Sequence, residues 1–244
     1  INPRGLIAAQ LAVFAEQGGT ILRETAVSVT RHPTHLTIQT REGNRYEARK
    51  LLIAAGGFSN CFGLMERPLP LRLKTETIIL AELDDAEAAR LGDMPTVIYE
   101  IESPDLDGIY LLPPILYPDG RFYLKMGCDT RLDQTLPHDV DAIRRWFIHG
   151  DSDAMLPAMR AALEDIIPGL RAQSWQTKRC LITYTPHGKP LIDAVLPGQV
   201  YVATGGNGSS AKSSDAIGQL AASLTWHDAW QDKDLDATLF QFPI

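Results

Sequence analysis

Residues able to do chemistry are spread thinly along this chain, and one group of them is spaced by rule. In VYVATGGNGSSAKSSDAIGQLAASL, residues 200–224, a β-branched run ends in Gly206-x-Gly208-x-x-Ala211 and a helical pattern follows. Glycines so placed let backbone amides approach an anionic ligand at a helix N-terminus. As a dinucleotide fingerprint the turn needs a following strand and an acid about 20 residues on. The remaining TWHDAWQDKDLDATLFQFPI offers acids but no convincing strand. The better reading is a bend that closes over a ligand already held elsewhere. Lys212 falls just after the glycines, at the expected mouth of the final helix, where the dipole prefers anions. A cation set against that preference points to function.

Lys125 lies in the strand pattern RFYLKMG, among Phe122, Leu124 and Met126. Such a lysine either faces solvent or is a cation placed in a low-dielectric pocket. Cys180 is either a small buried hydrophobe or a thiol whose ionisation Lys178 and Arg179 promote. His32-Pro33-Thr34-His35 has metal-pair spacing, but the proline breaks the helical geometry such a pair uses.

The elements that must carry these residues follow from periodicity. PRGLIAAQLAVFAEQ reads as a helix stopped by Gly18 and Gly19, with Leu6, Ile7, Leu11 and Phe14 on one face. Two or three strands follow, with a hairpin turn at Glu42-Gly43-Asn44. LLIAAGG, residues 51–57, reads as a buried central strand running into glycine. The middle of the chain is strand-rich, with a turn at Tyr117-Pro118-Asp119-Gly120. Two amphipathic helices come next; Pro157 starts the second and Pro168-Gly169 ends it. Strands then lead back to the closing glycine turn.

Length and composition bound the function. The chain has 244 residues, 45% hydrophobic and 22% charged, enough for a sizeable core in one or two domains. A net charge of −7 argues against a nucleic-acid partner. No apolar run approaches the roughly 20 residues that span a bilayer. Three distant cysteines, Cys61, Cys128 and Cys180, suit a reducing, cytoplasmic compartment.

Several segments, in order, resemble the D-amino-acid-oxidase-like FAD-dependent oxidoreductases, most nearly the sarcosine oxidase and N-methyl amino acid oxidase branch. They are INPRGLIAAQLAVFAEQGGTI, LLIAAGGFSN, RFYLKMG, RCLITYTPHGKPLID and VYVATGGNGSSAKSSDAIGQLAA. The resemblance implies an α/β fold in which an incomplete, glutathione-reductase-like Rossmann lobe (1–65 and 178–244) is interleaved with a mixed or antiparallel-sheet substrate domain (66–177). It implies FAD, with Gly205, Gly206, Asn207, Gly208 and Ser209 closing over the ring, Ala55, Gly56 and Gly57 approaching from another strand end, and Val27 on the adenine side.

Lys125 resembles the lysine that promotes reaction with oxygen, and Lys212 the one that holds a substrate carboxylate. Cys180 resembles the cysteine that binds the flavin covalently, Tyr110 would line the substrate cavity, and Asp129 stands where sarcosine oxidases carry histidine. With His187 and Ile182 also departing from the branch pattern, the expected substrate is an amine or amino acid other than sarcosine. The amino-terminal phosphate-binding unit of such proteins is not in this sequence, so the expectation is the C-terminal part of a longer flavoprotein. Such a part would hold FAD weakly or not at all and self-associate through an exposed sheet edge. An NAD(P)-dependent dehydrogenase using residues 206–211, or a non-catalytic binding subunit, stays open beside this reading.

Overall fold

The computed structural model describes residues 2–242. In chain order the elements are α1 (Pro3–Glu16), β1 (Ala26–Arg31), β2 (Leu36–Thr40), β3 (Arg45–Ala48), β4 (Leu51–Ile53), β5 (Arg72–Leu83), α2 (Asp85–Arg90), β6 (Val97–Glu102), β7 (Leu106–Leu116), β8 (Phe122–Thr130), β9 (Thr135–Leu136), α3 (Val140–His149), α4 (Leu156–Ile166), β10 (Ser174–Tyr184), β11 (Leu191–Leu196), β12 (Val200–Thr204) and α5 (Ser214–His227). Two compact units share them: residues 1–72 with 183–244, and residues 73–182. The architecture is mixed α/β, as expected.

In the first unit, β1, β2 and β3 form an antiparallel meander. Gly43, at φ +90°, supplies the β2–β3 turn. A second sheet runs β11-β12-β4, with β12 and β4 parallel and Val202 opposite Ile53. Here the sequence expectation needs correction. The LLI run is an edge strand of a three-stranded sheet, not a central one, and only Ile53 in it is fully buried. Apolar continuity reports two covered faces and cannot report whether both edges are paired.

The first helix differs as well. Asn2 caps it, accepting from Gly5 N–H at 3.0 Å. Gly18, at φ +87°, and Gly19 return N–H bonds to the last turn. Yet none of its residues is buried, and Ile7, Leu11 and Phe14 are each about half exposed.

The second unit is built on one sheet, β10-β5-β8-β7-β6, with β9 added beside β5. Period-two alternation gives the sheet two unlike faces. Ile79, Ala81 and Leu83 of β5, Ile109 and Leu111 of β7, and Leu124, Met126 and Cys128 of β8 point to one side. There α2 and α4 cover them with Ala88, Met159 and Leu163 to form the main core. Pro113 and Pro114 lie where the β7–β8 register shifts, which spares the ladder two missing donors. Asp139 caps α3 through Ala142 N–H at 2.7 Å, Pro157 begins α4, and Gly169 at φ +76° lies beyond its end.

Helix α2 was not anticipated; six residues are too few to show a period. Its Glu87 is fully buried and takes hydrogen bonds from Arg90 Nε at 2.8 Å and from Arg171 Nε and Nη2 at 3.0 and 2.8 Å. Arg90 first, with help from Arg171, holds the Glu87 carboxyl down at about 2, against the effect of burial. A carboxyl lowered on folding adds stability above its ordinary value of 4.5, and that stability is lost as pH falls through 2. Glu87→Gln is therefore expected to cost about 1–3 kcal/mol at pH 7. It should also flatten the decline in stability between pH 4.5 and 2. Urea unfolding at stepped pH measures both.

Candidate functional site

The residues singled out in the sequence fall in both units. Val27, Ala55–Gly57, the glycine turn and Lys212 belong to the first; Tyr110, Lys125, Asp129 and Cys180 belong to the second.

In the first unit two bends follow the adjacent parallel strands β4 and β12. Gly56 takes φ +53°, and its carbonyl accepts from Ser59 Oγ at 2.8 Å and Thr204 Oγ1 at 3.0 Å. These bonds tie the Ala55-Gly56-Gly57 bend to the end of β12. The second bend has Gly205 and Gly208 both at φ +74° and Asn207 at φ +49°. A Cβ on Gly205 would collide with Thr185 Cγ2, so that position requires glycine twice over.

Asn207 works as the brace of this bend. Its Nδ2 donates to Gly205 O at 2.6 Å, its Oδ1 accepts from Thr185 N–H at 2.9 Å, and its own N–H reaches Thr183 O at 3.0 Å. Ser209 N–H and Ser210 N–H both return to Gly206 O. Thr183, Thr185, Ser59 and Thr204 were not foreseen, because hydroxyls that brace a turn have no sequence spacing of their own. Val27 sits at the β-bulge where the β1–β2 register shifts between Ala26 and Ser28.

Lys212 is corrected in its setting. A 3-10 turn, Ser210–Ser213, stands between the glycines and α5, which begins only at Ser214. Lys212 is exposed in that turn, and the acid in the first turn of α5 is Asp215, which accepts from Gln10 Nε2 at 2.7 Å. The argument that a lysine is misplaced on the α-helix N-terminus therefore falls away. A cavity of about 700 Å³ in this unit lies against residues 63–70 and Phe242, and no glycine-turn residue lines it.

In the second unit the sheet face opposite the core gathers the other candidates. Tyr110, Tyr117 and Cys180 pack against Ile78, Leu80 and Tyr123. Tyr110 pairs across the ladder with Gly127, and a Cβ on Gly127 would collide with the Tyr110 ring at Cε1, Cζ and Oη. Glycine there is a slot in β8 through which the ring crosses toward β5. Its hydroxyl reaches Glu76 Oε1 at 3.3 Å, and Lys125 Nζ stands 5.3 Å from its ring centroid.

Burial first, and then the Glu76 and Cys180 charges, raise the Tyr110 phenol well above its ordinary value. Tyr110 is thus a proton-holding group throughout the physiological range. Burial raises the Cys180 thiol as well, while Lys125 draws it down. The cation that draws the thiol down is Lys125; of the two the sequence suggested, Arg179 turns away and donates to Gly150 O at 2.6 Å and Phe147 O at 3.0 Å. Trp146 of α3 donates to the Cys180 carbonyl at 2.9 Å and fixes that strand. Asp129 forms an ion pair with Lys74, whose second partner is Asp133 at 3.0 Å. Burial opposes the Lys74 charge, but these two carboxylates outweigh it and raise Lys74.

Sequence reasoning missed Glu76, Lys74, Asp133 and Gly127. The signal was there in RLKTETIIL: two charged residues, Lys74 and Glu76, share a strand face with Ile78 and Leu80.

The geometry can now be set beside known proteins. L-saccharopine oxidase of Schizosaccharomyces pombe is 26% identical over 237 residues, covering 88% of this chain and 52% of that protein. The chain thus spans about half the length of the curated relative it matches. Among solved structures, NikD, an amino acid oxidase of nikkomycin biosynthesis, aligns with a TM-score of 0.75 at 17% identity over 98% of this chain and 59% of that one. Iminodiacetate oxidase of Chelativorans sp. BNC1 aligns with a TM-score of 0.68 at 16% identity, over 98% and 57%. The family model for FAD dependent oxidoreductases (DAO) matches residues 1–224. With a match of that extent, the chain belongs to the DAO family of FAD-dependent oxidoreductases.

Proposed function

We propose that this chain supplies the ring-facing bends and the substrate face of an oxidase that converts the C–N bond of an amino acid or secondary amine to an imine and passes the electrons to oxygen. The observation that carries the reading is in the second unit. On one sheet face a lysine, the buried Tyr123, the half-buried Tyr110, a half-buried cysteine and a buried carboxylate converge, with the opposite face closed by core.

The residues present fit FAD. Glycine-rich bends at the ends of two adjacent parallel strands, held open by positive φ and braced by Asn207, Thr204 and Ser59, let backbone approach a planar ring. Gly205, Gly206, Asn207, Gly208 and Ser209 with Ala55, Gly56 and Gly57 are the proposed contacts, and Val27 the adenine-side one. When bound, FAD supplies the two-electron acceptor for hydride removal from the carbon beside the substrate nitrogen. Lys125 holds a positive charge among Tyr110 and apolar neighbours, where charge developing on oxygen is stabilised more than in water. Lys212 offers an exposed cation to a substrate carboxylate. Tyr110 and Asp129 orient the substrate, and the raised Tyr110 phenol keeps its proton while doing so. Three cysteines that form no disulfide among the described residues fit a reducing, cytoplasmic setting. A dehydrogenase using residues 206–211 is disfavoured, because a 3-10 turn and not an α-helix opens behind those glycines.

Three outcomes are expected. In the flavin-loaded protein, Lys125→Met should slow flavin reoxidation by about 10²-fold or more, the scale of losing a positioned electrostatic group. Reduction by substrate should change far less; stopped-flow absorbance separates the two half-reactions, and unchanged reoxidation removes this role. Cys180→Ser should convert flavin that survives denaturation with the protein into flavin that is released, if Cys180 is the point of attachment. Release from the unsubstituted protein denies the bond. Finally, residues 1–244 alone should self-associate through the β4 edge and the exposed apolar residues of α1. Light scattering after size exclusion would show a monomer if that is wrong.

A further inference from the structure

On the working face of the second unit, Glu76 is the group that the reading above leaves without a task. It is 6% exposed, in the middle of β5, and among the described residues its one side-chain hydrogen bond is the 3.3 Å contact from Tyr110 Oη. Among the described residues no lysine, arginine or histidine closes an ion pair on it. The two nearest cations are engaged otherwise. Lys74, on the same strand, is held by Asp129 and Asp133, and Lys125 of β8 stands over the Tyr110 ring.

Charge can be counted on this face from every element that meets Glu76. Arg72 and Lys74 on β5, Lys125 on β8 and Lys178 on β10 are basic; Asp129 on β8, Asp133 in the segment that follows, and Glu82 and Glu76 on β5 are acidic. Tyr110 on β7 and Cys180 on β10 are neutral, and both are held so by burial. Burial, and the neighbouring Asp129 and Asp133, favour a protonated Glu76, while Tyr110 and Lys74 oppose this. A carboxyl in that balance ionises readily when a cation arrives, since the ion pair then replaces the lost water.

From the geometry we infer that Glu76 is a specificity-determining residue, the seat for a positively charged nitrogen of the substrate other than the one being oxidised. Resting on the oxidase reading, this names the substrate class as amines or amino acids that carry a second, cationic amino group. The arrangement has a built pivot. Gly127 lets the Tyr110 ring cross β8, and the ring's hydroxyl steadies one carboxyl oxygen of Glu76. A larger residue at 127 would push the ring off that line.

The test needs no flavin. The chain is labelled with ¹³C-carboxyl glutamate, the Glu76 resonance is assigned through Glu76→Gln and Tyr110→Phe, and n-butylammonium is titrated in at neutral pH, with 1-butanol as the neutral control. The expected result is a saturable shift of the Glu76 carboxyl carbon with the ammonium and none with the alcohol. Glu76→Gln should weaken ammonium binding about tenfold or more, the scale of a hydrogen bond to a charged group. Tyr110→Phe, which keeps the carboxyl, should retain most of the binding. Equal binding of ammonium and alcohol, an unmoved Glu76 carbon, or undiminished affinity in a folded Glu76→Gln chain each overturn the assignment. If Glu76→Gln fails to fold, the wild-type and Tyr110→Phe titrations decide alone. A cation seat in a flavin-loaded protein with no oxidase turnover would overturn the oxidase reading and leave the seat. Turnover beside an indifferent Glu76 would do the reverse.

Discussion

The passage of the Tyr110 ring over Gly127 organises the second unit. A sheet strand normally carries a side chain at every other position on each face, and those side chains keep neighbouring strands' large residues apart. Removing one Cβ from β8 lets a residue of β7 reach across to β5, so three strands contribute to a single polar constellation. Lys125, two residues before the gap on the same face, then finds an aromatic ring below its ammonium in place of open solvent. Such a slot costs little where the other face is packed. Leu111, Leu124 and Met126, in the same three-strand region, are fully buried against α4 and hold the ladder in register. The polar face can therefore be irregular because the apolar face is not.

How much of this could be read in advance depended on what kind of pattern each feature leaves. Strands β5 to β8, the turn at residues 117–120 and the capped ends of α3 and α4 follow from alternation, Pro, Gly and Asp. Those signals are local, and the structure shows them at the places they mark. What the sequence hid were relations between strands. The edge position of β4 depends on its neighbours, and nothing in LLI encodes them. The Glu76–Tyr110 contact joins residues 34 apart, and Gly127 looks like any strand glycine until the ring beside it is seen. Lys178 and Arg179 were credited with acting on Cys180 because they adjoin it in sequence. In a strand the adjacent residue points to the opposite face, and Arg179 duly turns to the carbonyls at the end of α3, whereas Lys178, two positions from Cys180, shares its face. Proximity along a β-strand is a poor guide to electrostatic partners; proximity across the ladder is the better one.

The glycine turn shows the same limit from another side. Its spacing matches a phosphate-binding fingerprint, but that motif works through a helix dipole aimed at the ligand. Here the backbone after Gly208 enters a 3-10 turn, and α5 starts at Ser214, so the α-helical dipole is set back from the bend. What remains is shape. Gly205 and Gly208 adopt positive φ, Asn207 clamps Gly205 O and Thr185 N–H together, and Thr204 links the bend to its twin at Gly56. A rigid, side-chain-free double bend suits a flat uncharged ring edge better than a pyrophosphate, which wants several amides converging on one point. The braces are all short polar side chains, and each bonds to backbone rather than to another side chain at its first contact. Substitutions that keep the glycines but remove Asn207 or Thr204 would therefore disturb the bend through its backbone.

The charge arrangement on the second unit's polar face bears on the proposed chemistry. A site that only stabilised a developing negative charge would gather cations, and Lys125 alone serves that end. This face also carries carboxyls, one of them buried and, among the described residues, held by a single hydrogen bond of 3.3 Å. Fully ionised acids in such a place are unstable without partners. Lys74 relieves two of them by taking both Asp129 and Asp133, and so is unavailable to the third. Burial thus works against the charged form of Glu76, while Tyr110 and Lys74 work for it. That condition does not arise from packing efficiency, since replacing Glu76 with an apolar residue would remove the desolvation cost outright. A buried acid with no ion-pair partner among the described residues is better understood as a receiver of charge than as a structural filler, and the side from which charge can come is the face that Tyr110 and Lys125 share.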